Sequence, residues 1–164
     1  MRLFVAVRLS SEICEALSEI QDQFYRRGIR GNYINTENLH LTLAFIGEYS
    51  DLDAVLEAMA SVPFEPFPLA LEGIGCFGDL WWTGIRKNEA LEAYVRRLRR
   101  ALSEAGIPFD KKRFSAHITL IRKASGRLPG IAVSEAEMLV DRISLMRSDR
   151  GRNGMIYTEI ASFP

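Results

Sequence analysis

The sequence predicts an α+β fold in which two antiparallel sheets face each other across a cleft and the helices lie outside. Two observations lead to this prediction. Strand and helix patterns follow a doubled plan, in which each half has a helix that precedes a strand of the form His-apolar-Thr-apolar. The two histidine strands, defined by residues 40–43 and 117–120, contain both histidines of the 164-residue chain.

The first elements are a strand and a helix. Residues 2–8 alternate weakly between apolar and polar positions, which is typical of a strand. Ser10 or Ser11 can cap a helix whose apolar residues recur at helical spacing, and Gly28 ends it. Residues 29–38 are predicted to be a polar loop that leads to the first histidine strand.

A second helix and a hairpin follow. Gly47 closes the first histidine strand, and Ser50 or Asp51 starts a helix that a group of prolines stops. Residues 69–74 and 80–85 are strand-like, and the glycines between them indicate a hairpin.

The last part of the chain predicts a third helix and three more strands. The helix starts after Asn88 and ends at Gly106, and a basic segment then leads to the second histidine strand. Residues 123–134 are predicted to be an irregular loop. Two strands near 138–147 and 154–162 complete the chain, with a turn-forming segment between them.

The geometry of a strand explains why histidine and threonine are two residues apart. Side chains at i and i+2 project to the same face of a strand. His40 and Thr42 therefore share one face, as do His117 and Thr119, while the apolar residues between them face a core. Each strand presents an imidazole and a hydroxyl roughly 6–7 Å apart.

Composition limits the class of protein. The chain is 48% hydrophobic and 26% charged, which is ordinary for a soluble globular protein. No apolar run approaches a membrane span, and the first residues lack the features of a signal peptide, so we expect a cytoplasmic protein. We also expect a single domain over residues 1–164 and a monomer. Cys14 and Cys76 have no metal-binding spacing and are predicted to be buried thiols.

The formal net charge of zero argues against a protein that coats nucleic acid through bulk electrostatics. The charges are nevertheless unevenly distributed. Residues 1–83 contain 5 basic and 12 acidic residues, whereas residues 84–164 contain 16 basic and 9 acidic ones. The second half could therefore face an anionic ligand, although we expect solvated helix faces to account for most of these charges.

Two imidazoles and two hydroxyls in one cleft suit in-line displacement at phosphorus. One imidazole can take a proton from the attacking oxygen while the other gives a proton to the departing oxygen, and each transfer is typically worth about 10²–10⁴-fold. The hydroxyls of Thr42 and Thr119 can bind the non-bridging oxygens. Arg122 is the best candidate for a stabilising cation. It lies five residues after His117, however, so it can reach the cleft only if the strand ends or bulges before it.

Other kinds of site are less compatible with the sequence. A metal site needs three or four ligands, and neither histidine strand has a nearby Cys, Asp or Glu at ligand spacing. The chain lacks a Gly-x-Ser-x-Gly nucleophile motif. The glycine-rich segment 73–78 precedes a strand and does not open a helix, which argues against a dinucleotide loop. A single His-x-Thr could be structural, but a matched pair favours catalysis.

At this point the chain resembles a known family. The paired His-x-Thr-x motifs are similar to those of the 2H phosphoesterase superfamily, and the flanking segments resemble its RNA 2′,3′-cyclic phosphodiesterase branch, also called the 2′-5′ RNA ligase family. The resemblance covers essentially the whole chain, and the segments that carry it, besides the histidine strands, are residues 1–6, 45–47, 80–85 and 157–164.

The resemblance implies a bilobal fold of two intertwined lobes with pseudo-twofold symmetry and no metal or other cofactor. It implies hydrolysis of a terminal 2′,3′-cyclic phosphate on RNA to a 2′-phosphate. By this analogy His40 is the proton donor, His117 is the proton acceptor, and Thr42, Thr119 and Arg122 bind the phosphate. The residues themselves do not distinguish the acid from the base, because the two motifs are nearly interchangeable.

The expected ligand is an RNA 3′ end or a nucleotide that carries a 2′,3′-cyclic phosphate. Bases near the cleft would need aromatic side chains to stack on, and the candidates are Tyr33, Phe45, Trp81 and Trp82. Three other functions stay open on the sequence alone: hydrolysis of small cyclic nucleotides, 2′-5′ RNA ligation, and binding of RNA ends or nucleotides without catalysis.

Overall fold

A computed structural model describes residues 1–164 and confirms the predicted α+β class with two antiparallel sheets. It contains nine strands and three helices. In chain order these are β1 Arg2–Arg8, α1 Ser11–Arg26, β2 Asn32–Tyr33, β3 His40–Glu48, α2 Leu52–Ala60, β4 Phe67–Phe77, β5 Leu80–Ile85, α3 Glu89–Glu104, β6 His117–Arg122, β7 Glu137–Val140, β8 Ile143–Gly151 and β9 Gly154–Phe163.

Each histidine strand belongs to a different sheet. The four-stranded sheet has the order β3-β1-β8-β9, and the five-stranded sheet has the order β2-β6-β5-β4-β7. All strand pairs are antiparallel. The first histidine strand, β3, lies at an edge, whereas the second, β6, lies between β2 and β5. The site is therefore assembled from two separate sheets.

The helices form where the sequence supplies both caps and an apolar face. The side chains of Ser10, Asp51 and Asn88 accept hydrogen bonds from the first turns of α1, α2 and α3 at 3.2, 3.1 and 3.0 Å. Such caps typically contribute about 1 kcal/mol each. The apolar faces of the helices join a core of 33 buried residues, in which each buried Leu or Ile contributes about 1.5–3 kcal/mol.

Two local predictions were wrong in part. The predicted loop 29–38 contains the short strand β2, which pairs with β6, and a 3₁₀ turn at Thr36–Asn38. The single strand predicted over 138–147 is split at Asp141 and Arg142 into β7, which pairs with β4, and β8, which pairs with β1. Apolar periodicity does not identify a strand's partner, so the change of sheet was not visible in the sequence.

The prediction of two buried thiols was also wrong in part, because Cys14 is half-buried and Cys76 is exposed. Both cysteines are free. None of the three helices has the length and apolar character that a membrane crossing would require.

Candidate active site

The two histidine strands meet at one small cavity of about 50 Å³. The imidazoles of His40 and His117 line it from different sheets, with Thr42 and Thr119 beside them. The remaining residues around the cavity are Ile34, Asn38, Arg122 and Tyr157. Five side chains that the sequence singled out are thus next to a single volume.

The same local hydrogen bond orients both imidazoles. His40 Nδ1 lies 2.7 Å from the carbonyl oxygen of Asn38, and His117 Nδ1 lies 2.6 Å from that of Ser115. A carbonyl can only accept, so Nδ1 carries the proton in both rings and Nε2 is the nitrogen left for chemistry. In each strand the acceptor is the carbonyl two residues before the histidine.

Both histidine strands also bulge at the same motif position. In β3, Thr42 pairs with Ala6 and Ala44 pairs with Val5, so Leu43 is an extra residue. In β6, Thr119 pairs with Trp82 and Ile121 pairs with Trp81, so Leu120 is extra. The order of buried and half-exposed residues is identical over the first six positions of the two strands.

The bulges change which side chains face the cavity. Beyond an extra residue the alternation of a strand shifts by one, so the residue five after each histidine returns to the histidine face. In β6 this residue is Arg122, which lines the cavity, and in β3 it is Phe45, which is 36% exposed beside it. A strand end or a bulge before Arg122 was required for this side chain to reach the cleft, and β6 has such a bulge at Leu120.

A polar side chain from a helix holds each bulge. Gln21 of α1 is buried, and its Nε2 donates to the carbonyl oxygens of Leu120 and Ile34 at 3.0 and 2.9 Å. Arg99 of α3 donates from Nη2 to the carbonyl oxygen of Leu43 at 3.1 Å. The Leu120 carbonyl also accepts a hydrogen bond from the backbone N–H of Ile34 at 2.9 Å, so Gln21 adds a second donor there, while Arg99 supplies a donor to the Leu43 carbonyl. Arg99 is therefore an exception to the expectation that the basic residues of the second half lie mostly on solvated helix faces.

His40 lies in a half-buried aromatic setting. Its ring centroid is 4.9 Å from that of Phe4 and 5.2 Å from that of Tyr157. Its Nε2 lies 2.8 Å from Thr42 Oγ1, so the hydroxyl donates to the neutral ring. Burial lowers the pKa of His40, the hydrogen bond to the Asn38 carbonyl opposes this shift, and the charges of Arg122 and His117 lower the pKa further.

His117 has different neighbours. Its ring centroid is 5.2 Å from that of Phe77, which is 50% exposed, and 6.0 Å from that of Trp82. The indole of Trp82 covers Gly75, where a Cβ would lie 2.3 Å from the ring. This close packing explains why a glycine stands at position 75 of the glycine-rich segment 73–78. His117 Nε2 makes no hydrogen bond within the protein, whereas His40 Nε2 accepts one from Thr42.

Two open grooves extend from the small cavity. The His40 groove, of about 420 Å³, is lined by Arg2, Phe4, His40, Thr42, Phe45, Arg122, Ser148, Arg150, Met155 and Tyr157. The His117 groove, of about 390 Å³, is lined by Thr42, Leu43, Ala44, Phe45, Phe77, Arg99, Asp110, Lys112, Arg113, Phe114, Ser115 and His117. A larger cavity along α1 contains neither histidine.

The proposed aromatic residues have different positions. Phe45 borders both grooves, whereas Tyr33 lines neither and donates its hydroxyl to the carbonyl oxygen of Ile29 at 2.7 Å. Trp81 is fully buried in the core, and Trp82 packs beside His117. Sequence reasoning missed Phe4 and Tyr157. Alternation along β1 places Phe4 on the face opposite Leu3 and Val5, but nothing local in β9 indicates Tyr157.

The donor set around the cavity is poor in metal ligands. Nowhere in the chain do three or more His, Cys, Asp or Glu side chains come together in a group that could hold a metal ion. The groups that do meet at the cavity are imidazoles, hydroxyls and a guanidinium, which suit proton transfer and the binding of an anion.

Known proteins share this arrangement of the chain. A family model described as the 2′-5′ RNA ligase superfamily matches residues 9–152. The RNA 2′,3′-cyclic phosphodiesterase of Geobacillus stearothermophilus is 30% identical, and the match covers 98% of this chain but 56% of that protein. The enzyme of the same name from Archaeoglobus fulgidus is 30% identical over 99% of both chains. The crystal structure of Escherichia coli LigT complexed with 3′-AMP has a TM-score of 0.90 and 27% identity, covering 99% of this chain and 96% of that one.

Proposed function

The chain belongs to the 2′-5′ RNA ligase superfamily, and from that premise we propose that it is a metal-independent RNA 2′,3′-cyclic phosphodiesterase. The observation that carries the proposal is the small cavity that both histidines, both threonines and Arg122 line together. The names of the relatives, with near-complete coverage of this chain, support a hydrolase of cyclic phosphates.

The proposed reaction is an in-line displacement. Water attacks phosphorus on the side opposite the 3′ oxygen, and Nε2 of His117 takes a proton from it. The bond between phosphorus and the 3′ oxygen breaks, and Nε2 of His40 gives its proton to that oxygen. The products are a 2′-phosphate and a free 3′ hydroxyl. Nδ1 of each ring stays bonded to its carbonyl throughout, which keeps Nε2 aimed at the phosphate.

The threonines and Arg122 bind the phosphate in this scheme. The charge of the phosphoryl oxygens grows in the transition state, and preorganised donors in a small cavity stabilise it more strongly than water does. Thr42 must turn its hydroxyl from His40 Nε2 to a phosphate oxygen when the substrate enters. Arg122 carries the positive charge, and the bulge in β6 supplies its position.

The buried setting of His40 is compatible with the role of acid. Its lowered pKa makes the imidazolium a stronger acid than a solvated one, although less of it is protonated in the free protein. An anionic cyclic phosphate beside the ring favours the charged form and raises the pKa again. Substrate binding therefore favours the protonated form of His40, which later donates this proton to the 3′ oxygen.

Product analysis tests this proposal. An oligonucleotide with a 2′,3′-cyclic phosphate end should be converted to a 2′-phosphate in the presence of EDTA at the same rate as in its absence. His40→Ala and His117→Ala should each slow the conversion by about 10²–10⁴-fold while circular dichroism shows the native fold. Full activity in either variant, or dependence on an added metal ion, would refute the mechanism.

A second candidate is a cyclic phosphodiesterase that acts on small nucleotides. The observation that favours it is that the E. coli relative was crystallised with 3′-AMP, a mononucleotide. Comparison of kcat/KM for a cyclic mononucleotide with that for a cyclic-ended oligonucleotide separates the two functions, because only the longer substrate has nucleotides beyond the terminal one that can add contacts.

A further inference from the structure

The two grooves beside the small cavity differ in their charged groups. Three arginines, Arg2, Arg122 and Arg150, line the His40 groove, and no Asp or Glu does. The His117 groove contains Asp110 among its basic residues. One of its cations, Arg99, is already committed to backbone carbonyls. The His40 groove is therefore the better site for a ligand with more than one negative charge.

The arginines of the His40 groove have no protein partner for their charge. The side chains of Arg2, Arg122 and Arg150 make no ion pair and no hydrogen bond, and the same is true of Lys112 and Arg113 in the His117 groove, so the number of free cations and the absence of a carboxylate distinguish the His40 groove. Arg2 instead lies over the ring of Phe45, 5.2 Å from its centroid, which holds the guanidinium at the groove.

Strand pairing places two of these arginines at one end of the groove. Arg2 of β1 pairs with Ser148 of β8, two residues before Arg150, and alternation puts all three on the face that carries Phe4. Phe4 contacts His40, and Arg2 is two residues further along the strand, about 7 Å away. The groove thus runs from His40 toward a pair of free guanidinium groups.

The chemistry of a cyclic phosphate decides which groove takes the rest of the substrate. Both oxygens of the ring belong to one ribose, so the ribose must lie on the side of the acid that protonates the departing 3′ oxygen. If His40 is this acid, as the proposed function has it, the nucleoside and the chain before it leave the cavity through the His40 groove, while water enters beside His117.

We propose that the His40 groove binds the RNA chain that precedes the cyclic phosphate, and that Arg2 and Arg150 contact its backbone phosphates. This inference rests on the proposed function and adds to it the groove and the two arginines through which an RNA end would bind more productively than a cyclic mononucleotide. Arg122 contacts the reacting phosphate, whereas Arg2 and Arg150 contact upstream phosphodiesters that a mononucleotide lacks.

Two matched double variants test the inference. Arg2→Gln with Arg150→Gln removes two charges from the His40 groove, and Lys112→Gln with Arg113→Gln removes two from the His117 groove. The measurement is kcat/KM for 2′,3′-cyclic AMP and for an oligonucleotide that ends in the same cyclic nucleotide, at several salt concentrations, together with the melting temperature of each variant.

The variant of the His40 groove should lower kcat/KM for the oligonucleotide, relative to that for cyclic AMP, by roughly five- to thirtyfold. Its dependence of log kcat/KM on log salt should lose a slope of about 1.4, since each single-strand phosphate contact contributes about 0.7. The control variant should leave the ratio of the two substrates within about twofold of the unmodified protein.

Each other outcome overturns the inference in a recognisable way. A loss confined to the control variant would place the RNA in the His117 groove and reverse the assignment of acid and base. An unchanged ratio in both variants would mean that only the terminal nucleotide is bound. Failure of the unmodified protein to hydrolyse either substrate would instead remove the proposed function itself.

Discussion

The two histidine strands have the same local design and different surroundings. Each has a carbonyl two residues before the histidine that orients the ring, and each has a bulge just after the threonine. The surroundings differ because Phe4 and Tyr157 enclose His40, whereas the exposed Phe77 flanks His117. Identical motifs can therefore supply two different proton-transfer groups, provided that neighbouring elements make their environments unequal.

The residue five after each histidine shows the same contrast. The bulges turn Arg122 of β6 and Phe45 of β3 toward the site, so one strand adds a cation and the other adds an apolar ring. A second cation in place of Phe45 would repel the first. The doubled backbone provides two equivalent positions, and one of them carries a guanidinium group while the other carries an aromatic ring.

The strongest test of this comparison removes both imidazoles together. His40→Ala and His117→Ala should each lower kcat by about 10²–10⁴-fold, and the double variant should be no slower than the slower single variant. Two groups that act in one concerted displacement are not additive. Measured kcat values that multiply in the double variant would show that the histidines act in independent steps.

The next test changes the side chain at the residue five after each histidine. Arg122→Gln should lower kcat by about 10²-fold, because a donor aimed at the developing phosphoryl charge is lost. Phe45→Leu keeps an apolar residue at the matching position and should change kcat by less than about threefold. Single-turnover rates of the two variants decide this. An unchanged single-turnover rate with a raised KM in Arg122→Gln would mean that Arg122 acts only through binding.

A smaller effect is expected from the side chains that hold the bulges. Gln21→Leu leaves the Leu120 carbonyl with one donor fewer, and Arg99→Met removes the donors to Leu43; each should lower the free energy of unfolding by about 1–3 kcal/mol. Denaturant titration measures this.

The two variants should differ in kinetics. Gln21→Leu should also lower kcat, because the bulge that it loosens carries Arg122. A double-mutant cycle checks the mechanism, since Arg122→Gln should cost less in the Gln21→Leu background than in the unmodified protein. Additive losses would assign Gln21 a purely structural role.

The smallest expected effect is a change in the pKa of His40. The pKa of His40 should lie below its usual value of about 6.5, so the ring is less than half protonated at pH 6.5 in the free protein. Inorganic phosphate should raise this pKa, and Tyr157→Ala, which opens one side of the ring, should move it up toward 6.5. Proton NMR of the ring hydrogens measures each value. A downward shift with phosphate would contradict the proposed placement of the anion.

Much of the fold and part of the site follow from short-range patterns. Strand periodicity paired His40 with Thr42 and His117 with Thr119, and capping residues such as Ser10 located the helix starts. The prediction of one strand over 138–147 failed because a strand's partner depends on residues far along the chain.

The sequence by itself determined the α+β class, the helix starts and the four residues of the duplicated motif, because each of these depends on spacing within a few residues. Only the tertiary structure decided that Arg122 faces the cavity, because a bulge is defined by register against another strand, here β5. It also decided the unequal settings of the two imidazoles, since Phe4 and Tyr157 reach His40 from strands that lie far from β3 in the chain.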